Sequence, residues 1–223
     1  LVLESLVPAL TAKIADEQMP EHVRALDAPG IERVTMIDAT PIGANVRSTV
    51  ATYSGVLDDL RRLYARTEVA KARGLTAGAF SYNTGSLRCP TCDGTGQITL
   101  DVQFLPDVDI DCPDCHGTRY SDEAGEITWE PKGGHAPVSL PDLLAMTVDE
   151  AREVFAGTSQ RRLRAKLDTL HELGIGYMTL GESTPALSGG EAQRLKLASE
   201  MGRAQEGTLF VFDEPTIGLH PLD

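Results

Sequence analysis

Four cysteines in two Cys-x-x-Cys pairs constrain this chain more than any other feature of its sequence. Cys89 and Cys92 form the first pair, Cys112 and Cys115 the second, and a glycine follows each pair one residue on. Two residues between cysteines let both sulfurs face one tetrahedral ion, and a second pair closes the shell. The spacing predicts a structural Zn²⁺ site, with two disulfides or four unconnected thiols as the alternatives.

The composition is that of an ordinary globular chain. Of the 223 residues, 41% are hydrophobic and 24% charged, and the length is sufficient for a sizeable core. No stretch approaches the roughly 20 apolar residues of a membrane-spanning helix, and the first residues lack the pattern of a secretory signal. We therefore expect a cytoplasmic protein without a membrane partner, in which disulfides are disfavoured.

The formal net charge is −13, but the charge is unevenly distributed along the chain. Residues 41–88 and 159–204 are each net basic, whereas residues 89–158 are strongly acidic. Because an acidic surface repels nucleic acid, a polyanion is expected to contact one of the basic segments. In the acidic cysteine region we expect phosphate contacts only through local residues such as Arg88 and Arg119.

Apolar periodicity and capping signals predict the regular elements. A helix is expected over residues 1–16, with Leu3, Leu6, Val7, Leu10 and Ile14 on one face and Pro8 straining it. Because this pattern is already under way at Leu1, we expect the chain to be a piece of a longer protein. The other predicted elements are a strand at 31–38, a helix at 56–64, a loop or short hairpin at 121–141, a helix capped by Thr147 and Glu150, a helix burying Leu163, Leu167 and Leu170, a helix from 187–191 to about Arg203, and a strand at 208–213 buried on both faces.

A Leu-Ser-Gly-Gly-Glu motif at residues 187–191 opens the last predicted helix. The main-chain N–H groups at a helix start, the helix dipole and the Ser188 hydroxyl together suit a phosphate. The same pattern is also typical of a simple helix N-cap. We therefore interpret Ser188, Gly189, Gly190 and Glu191 as candidate nucleotide contacts.

A second motif, Phe-Val-Phe-Asp-Glu-Pro-Thr, follows at residues 210–216. A carboxylate at the end of a buried strand suits Mg²⁺, which makes Asp213 a candidate ligand. The adjacent Glu214 is placed to orient and deprotonate an attacking water, as a general base does. The alternative is a solvated acidic pair at a strand end.

Together these motifs resemble the signature motif and Walker B strand of ATP-binding-cassette (ABC) ATPases. Within that superfamily the chain resembles the UvrA family, the damage-recognition subunit of bacterial nucleotide excision repair. The further segments that carry this resemblance are residues 41–55, 104–108, 117–120, 174–181 and a D-loop-like stretch at 217–223.

The resemblance implies an α/β fold: a partial ABC-ATPase core with a helical signature subdomain and an inserted four-cysteine zinc module. The chain is most similar to the second, C-terminal nucleotide-binding half of UvrA-family proteins. The implied division is ATPase core at 1–40, a linking and DNA-facing helical segment at 41–86, the zinc module at 87–121, a loop or hinge at 122–145, the helical signature subdomain at 146–206, and the Walker B strand with the D-loop at 207–223.

The resemblance also implies binding of ATP and Mg²⁺ at composite sites, with Glu214 as the catalytic residue. The implied partners are damaged duplex DNA, a second copy in a homodimer, and a UvrB-like repair protein of the SOS response. Among the basic residues, Arg47, Lys71, Arg73 and Arg88 are expected to contact DNA, whereas Arg61 and Arg62 are expected on a solvated helix face.

The sequence departs from the family pattern in two ways. No Gly-Lys dipeptide occurs, so a P-loop is missing from these residues, and the chain alone is expected to hydrolyse no ATP. Ala39 and Ala44 stand where the family usually has Gln and Arg. These substitutions predict a divergent UvrA-like branch, one that takes part in tolerance of DNA-binding drugs.

Two other classes of function are alternatives to a repair ATPase. A transport ATPase of drug resistance would share the nucleotide motifs but would lack the cysteine insert. A DnaJ-like chaperone module would share the Cys-x-x-Cys-x-Gly-x-Gly repeat at residues 89–96 but would not explain residues 187–223.

Overall fold

We describe the fold from a computed structural model that covers residues 1–100, 108–131, 135–201 and 205–214. The α-helices are α1 (Val7–Ala15), α2 (Val50–Tyr53), α3 (Val56–Tyr64), α4 (Glu68–Ala72), α5 (Asp122–Gly125), α6 (Leu140–Ala145), α7 (Val148–Phe155), α8 (Arg161–Glu172) and α9 (Gly189–Met201). The strands are β1 (Arg33–Ile37), β2 (Gln97–Leu100), β3 (Val108–Asp111), β4 (Thr128–Trp129), β5 (Val138–Ser139) and β6 (Thr208–Phe212).

Strands β1 and β6 form a parallel pair, which places residues 33–37 beside residues 208–212. Arg33 lies opposite Thr208 and Ile37 opposite Phe212. Both strands were predicted, but the prediction that β6 is buried on both faces is wrong. It is half-buried, and Phe212 is 45% exposed, because within the described residues β1 is its only hydrogen-bonded neighbour.

The main core lies among the helices between the two strands. Helix α3 has the predicted bounds and buries the whole predicted face: Val56, Leu57, Leu60, Leu63 and Tyr64. The hydroxyl of Tyr64 donates to the carbonyl of Val138 at 2.7 Å, and Trp129 stacks on Phe155 with ring centroids 4.9 Å apart. The predicted leucines of α8 are also buried.

The capping box at Thr147 is confirmed. Its hydroxyl accepts from the main-chain N–H of Glu150, whose carboxylate accepts from the N–H of Thr147. The predicted loop or hairpin at 121–141 contains the short helix α5 and the two-residue β4–β5 ladder. Within the described residues, no helix is long and apolar enough to span a membrane.

The first helix differs from its prediction. A π-helical turn at Val2–Leu6 precedes α1, so the pitch changes within the predicted stripe. Pro8 lies in the first turn of α1, directly after the π-helical turn, so the change of pitch coincides with the proline that was predicted to strain this helix. Leu10 is buried, whereas Leu3 and Ile14 are exposed.

Candidate functional site

The four cysteines converge on one buried point. Their sulfur atoms all lie within 4.8 Å of one another. Each sulfur of the first pair approaches one of the second, Cys89 to Cys112 at 3.9 Å and Cys92 to Cys115 at 3.7 Å. All four are free thiols, so the disulfide alternative is wrong. A cluster of four buried sulfurs at this spacing fits a tetrahedral Zn²⁺ ion.

The two cysteine loops have the same backbone geometry. In each, the residue after the second cysteine and the next glycine have positive φ: Asp93 and Gly94 in one, His116 and Gly117 in the other. The N–H of the following threonine then returns to the carbonyl of the second cysteine, at 3.1 Å and 2.9 Å. The glycines thus make the tight turns that the sequence predicts.

The thiols differ in how readily they ionise. Burial raises the pKa of Cys92, but hydrogen bonds from the N–H groups of Gly96 and Gly94 and from Cys115 outweigh it, and the pKa falls to about 7. Burial raises the pKa of Cys115 to about 12. Cys92 is therefore readier than Cys115 to become a thiolate, the form that binds metal.

The start of helix α9 is a capping box built from the Leu-Ser-Gly-Gly-Glu motif. The Ser188 hydroxyl and N–H both donate to Glu191 Oε2, at 2.8 Å and 2.7 Å. The hydroxyl of Tyr177 donates to Glu191 Oε1 at 2.6 Å. The hydrogen bond from Tyr177 contributes most to a lowered pKa of Glu191, with Ser188 adding to it against the effect of burial. The motif is therefore a helix N-cap in this structure, and its contact with a nucleotide stays a prediction.

Two polar side chains of α9 fasten the helix to the ends of both core strands. Gln193 Nε2 donates to the carbonyls of Ile37 and Asp213, at 3.2 and 2.7 Å. Lys196 Nζ donates to the carboxylate of Asp38 at 2.5 Å and to the carbonyl and hydroxyl oxygens of Thr40 at 2.8 Å. These contacts were not predicted, although polar residues three apart at 193 and 196 lie on one face of a helix.

Ala39 lies between Asp38 and Thr40, the two residues that Lys196 contacts, and it packs against the start of α9. A Cβ placed on Gly189 would lie 3.1 Å from the Cβ of Ala39, which is closer than ordinary contact. The position where the resembled family usually has glutamine is thus a small-residue contact in this chain.

The carboxylates of Asp213 and Glu214 lie at the end of β6, as predicted. The Asp213 N–H donates to the Ile37 carbonyl at 3.1 Å. Both residues are exposed, and Glu214 has a φ of 46°. The D-loop-like stretch at 217–223, most of the 104–108 match and the predicted helix end near Arg203 lie outside the described residues.

Each predicted DNA contact is paired with an acidic side chain. Arg47 and Arg88 both contact Asp93, at 3.2 and 3.0 Å. The other two pairs are Lys71 with Glu68 at 2.8 Å and Arg73 with Glu126 at 2.6 Å.

Arg119 is not a surface phosphate contact, and that prediction is wrong. The residue is only 6% exposed, and its guanidinium donates to protein oxygens on two sides.

Comparison with known proteins agrees with the sequence resemblance. No family model matches the chain. The whole chain is 44% identical to the UvrABC system protein A of Bacillus subtilis, of which it spans 23%. Over 86% of its length it is 45% identical to the protein of that name from Streptococcus pyogenes, covering 20% of it.

A solved structure agrees as well. The crystal structure of UvrA2 from Deinococcus radiodurans superposes on 97% of this chain with a TM-score of 0.80 and 44% identity, and the chain covers 25% of it. The chain thus spans about a quarter of the relatives it matches. In sequence and in fold, over that quarter, the chain matches proteins of the UvrA family.

Proposed function

We propose that this chain supplies the signature helix, the Walker B strand end and the zinc module of a UvrA-type ATPase that recognises DNA damage in nucleotide excision repair. The observation that carries the proposal is the pair of Gln193 hydrogen bonds at 2.7 and 3.2 Å. They fix the start of α9 relative to the strand end that carries Asp213 and Glu214. Movement at either motif is therefore transmitted to the other.

The two motifs act on different nucleotides in a composite site. The N–H groups of Gly189 and Gly190 bind the γ-phosphate of ATP held by the opposing cassette, and the Ser188 hydroxyl turns from Glu191 to that phosphate when the nucleotide binds. Glu191 keeps Ser188 oriented. Glu214 accepts the proton of the attacking water and aligns it with the γ-phosphate. Asp213 holds Mg²⁺, which supplies neutralising charge when bound.

The four cysteines hold a structural Zn²⁺ ion. With four protein ligands the ion has no open position for catalysis, so it stabilises the turns that carry Asp93, Gly94, His116 and Gly117. Replacing Cys112 with serine in the present chain removes one ligand. Metal content measured by mass spectrometry is expected to fall from one Zn²⁺ per chain to none, with Thr91→Ser as the matched control. Unchanged metal content would refute the four-sulfur assignment.

DNA contacts this protein through phosphate groups rather than base edges, which suits a scanner of damage in any sequence. Arg47 and Arg88 share the exposed carboxylate of Asp93. A phosphate can replace that partner at both arginines because exposed ion pairs are weak. The protein acts as a homodimer and passes damaged DNA to a UvrB-like partner.

The decisive experiment uses the full-length protein that contains this chain together with a P-loop. Glu214→Gln is expected to lower ATP turnover by at least about a hundredfold while ATP stays bound. The matched control is Glu206→Gln, an exposed acid in the turn before β6. Near-normal turnover in Glu214→Gln would remove Glu214 as the base. Failure to retain damaged duplex DNA on a gel would favour the transport class.

A further inference from the structure

Arg119 is a buried cation with partners in three parts of the chain. Its Nη1 donates to the carbonyls of Val46 and Thr95, at 3.0 and 2.8 Å, and its Nη2 donates to the hydroxyl of Ser183 at 2.7 Å. The guanidinium lies over the ring of Tyr82, 5.3 Å from its centroid. One side chain thus joins the cysteine loops to a segment 64 residues further along the chain.

The main chain of Arg119 is held by the cysteine cluster itself. Its carbonyl accepts from the N–H of Cys89 at 3.0 Å, and the residue lies four positions after Cys115. Its φ of 73° is in the left-handed region, which is unfavourable for a residue other than glycine. Such a conformation persists where the surroundings impose it. Here the surroundings include Cys89, one of the four sulfur-bearing residues.

The segment reached by Nη2 leads directly into the signature motif. We call residues 180–187 the strap. The strap is hydrogen-bonded to the residues around α2. The Val50 N–H donates to the carbonyl of Glu182 at 3.0 Å, and the Thr184 N–H donates to the carbonyl of Ser48 at 2.9 Å. Ser188, the N-cap of α9, follows the strap directly. Ser183 is therefore a point at which Arg119 of the cysteine module contacts the lead-in to the predicted phosphate contacts.

We propose that Arg119 is a positioning residue that couples metal binding at the four cysteines to the order of the strap and of the α9 N-cap. The proposal rests on the proposed Zn²⁺ site. Zn²⁺ fixes the loops that hold the Arg119 main chain, and the guanidinium carries that constraint to Ser183. When Zn²⁺ leaves, the main chain relaxes from its left-handed conformation, and the hydrogen bond to Ser183 is lost.

The coupling must act in both directions, because linkage between two equilibria is reciprocal. Removing the strap partner of Arg119 should therefore weaken Zn²⁺ binding, although Ser183 lies 68 residues beyond the last cysteine. We expect Ser183→Ala to lower Zn²⁺ affinity about fivefold, the lower end of measured couplings. Competition with a chromogenic chelator measures this, with the exposed Ser86→Ala as the matched control. If the contact between Arg119 and Ser183 does not couple to metal binding, Ser183→Ala will bind Zn²⁺ with the affinity of the unmodified chain, and the proposal fails.

Hydrogen–deuterium exchange of the Zn²⁺-loaded chain tests the same link from the other side. In the unmodified chain, removing Zn²⁺ with a chelator is expected to speed exchange of residues 180–192 about fivefold and to leave residues 148–172 unchanged. In Ser183→Ala, exchange at 180–192 is already fast with Zn²⁺ bound and rises less than about twofold on its removal. Arg119→Gly should behave like Ser183→Ala, because it removes the guanidinium that donates to Ser183. Glycine also adopts the left-handed conformation without strain, so the main chain at this position can stay as it is.

The outcomes separate the two proposals. A chain that binds Zn²⁺ but shows the same exchange at 180–192 with and without it would overturn the coupling and leave the metal site intact. Equal acceleration at 148–172 would also overturn the coupling, because metal loss would then act on the whole fold. A chain that binds no Zn²⁺ would overturn the metal site and the coupling together.

Discussion

The side-chain amide of Gln193 donates to the carbonyl of Asp213 at 2.7 Å and so joins helix α9 to the end of strand β6. The same Nε2 also donates to Ile37 at the end of β1. One buried side chain thus satisfies main-chain acceptors of two parallel strands beside the predicted Mg²⁺ ligand.

Gln193→Ala is expected to lower the free energy of unfolding by about 1–3 kcal/mol. It leaves the Asp213 carbonyl without its donor and the Ile37 carbonyl with the Asp213 N–H alone, and a part-buried group that loses its partner costs about that much. Urea unfolding followed by circular dichroism measures the change. Gln18→Ala, at an exposed position, is the control and should be neutral. Equal stability of the two variants would contradict a structural role for the amide.

Lys196→Met is expected to cost about 1–2 kcal/mol at pH 7, because it removes charged hydrogen bonds to Asp38 and Thr40. Burial raises the pKa of Asp38, but the hydrogen bonds from Lys196 and Thr40 outweigh it and hold the pKa below its usual 3.8. A lowered carboxyl pKa stabilises the fold above that value, and this stabilisation is lost as the pH falls.

The difference between Lys196→Met and the unmodified chain should therefore shrink as the pH falls below about 3.8. Thermal unfolding at pH 7 and pH 3 measures it. The control is Lys71→Met, which removes an exposed pair within one short helix and should barely change stability. A penalty of the same size at both pH values would show that Lys196 acts through its packing and not through its charge.

Local patterns allowed much of the fold to be predicted from the sequence. Helix α3 was predicted residue for residue because its apolar face repeats with the helical period, and the cysteine cluster follows from spacing alone. By contrast, Gln193 and Lys196 contact residues 156 and 158 positions away. A polar residue on a helix has the same sequence pattern whether it faces water or a distant carbonyl, so neither contact could be predicted. The prediction for Arg119 failed because its partner Ser183 is likewise distant in sequence, 64 residues away.

Tyr177→Phe is expected to raise the pKa of Glu191 towards its usual 4.5, because the tyrosine hydroxyl is the largest cause of its lowering. Carbon-detected NMR titration of the glutamate carboxyls measures the midpoint. The stabilisation from Glu191 is present above its unfolded pKa and is lost as the pH falls through the lower folded value. Tyr177→Phe should thus be less stable than the unmodified chain at pH 7, and this difference should shrink as the pH falls below about 4.5.

Glu150 is an internal control for that titration. It closes the capping box at Thr147 and has a lowered pKa caused by hydrogen bonds from Thr147 alone. Its midpoint should not move in Tyr177→Phe. An unchanged Glu191 midpoint would mean that the 2.6 Å contact does not persist in solution.

Gly94→Ala and Gly74→Ala test whether the cysteine loops depend on close packing as well as on backbone conformation. Both glycines have positive φ, 78° and 65°, so alanine costs about 1–2 kcal/mol at either position. A Cβ at Gly94 would also overlap the carbonyl of Tyr82, whereas a Cβ at Gly74 meets nothing within 4 Å. Gly94→Ala should therefore lose its Zn²⁺ and lower the thermal midpoint markedly, whereas Gly74→Ala keeps its metal and shifts the midpoint by a few degrees. If both variants kept Zn²⁺ and lost equal stability, contact with Tyr82 would not hold the first cysteine loop in place.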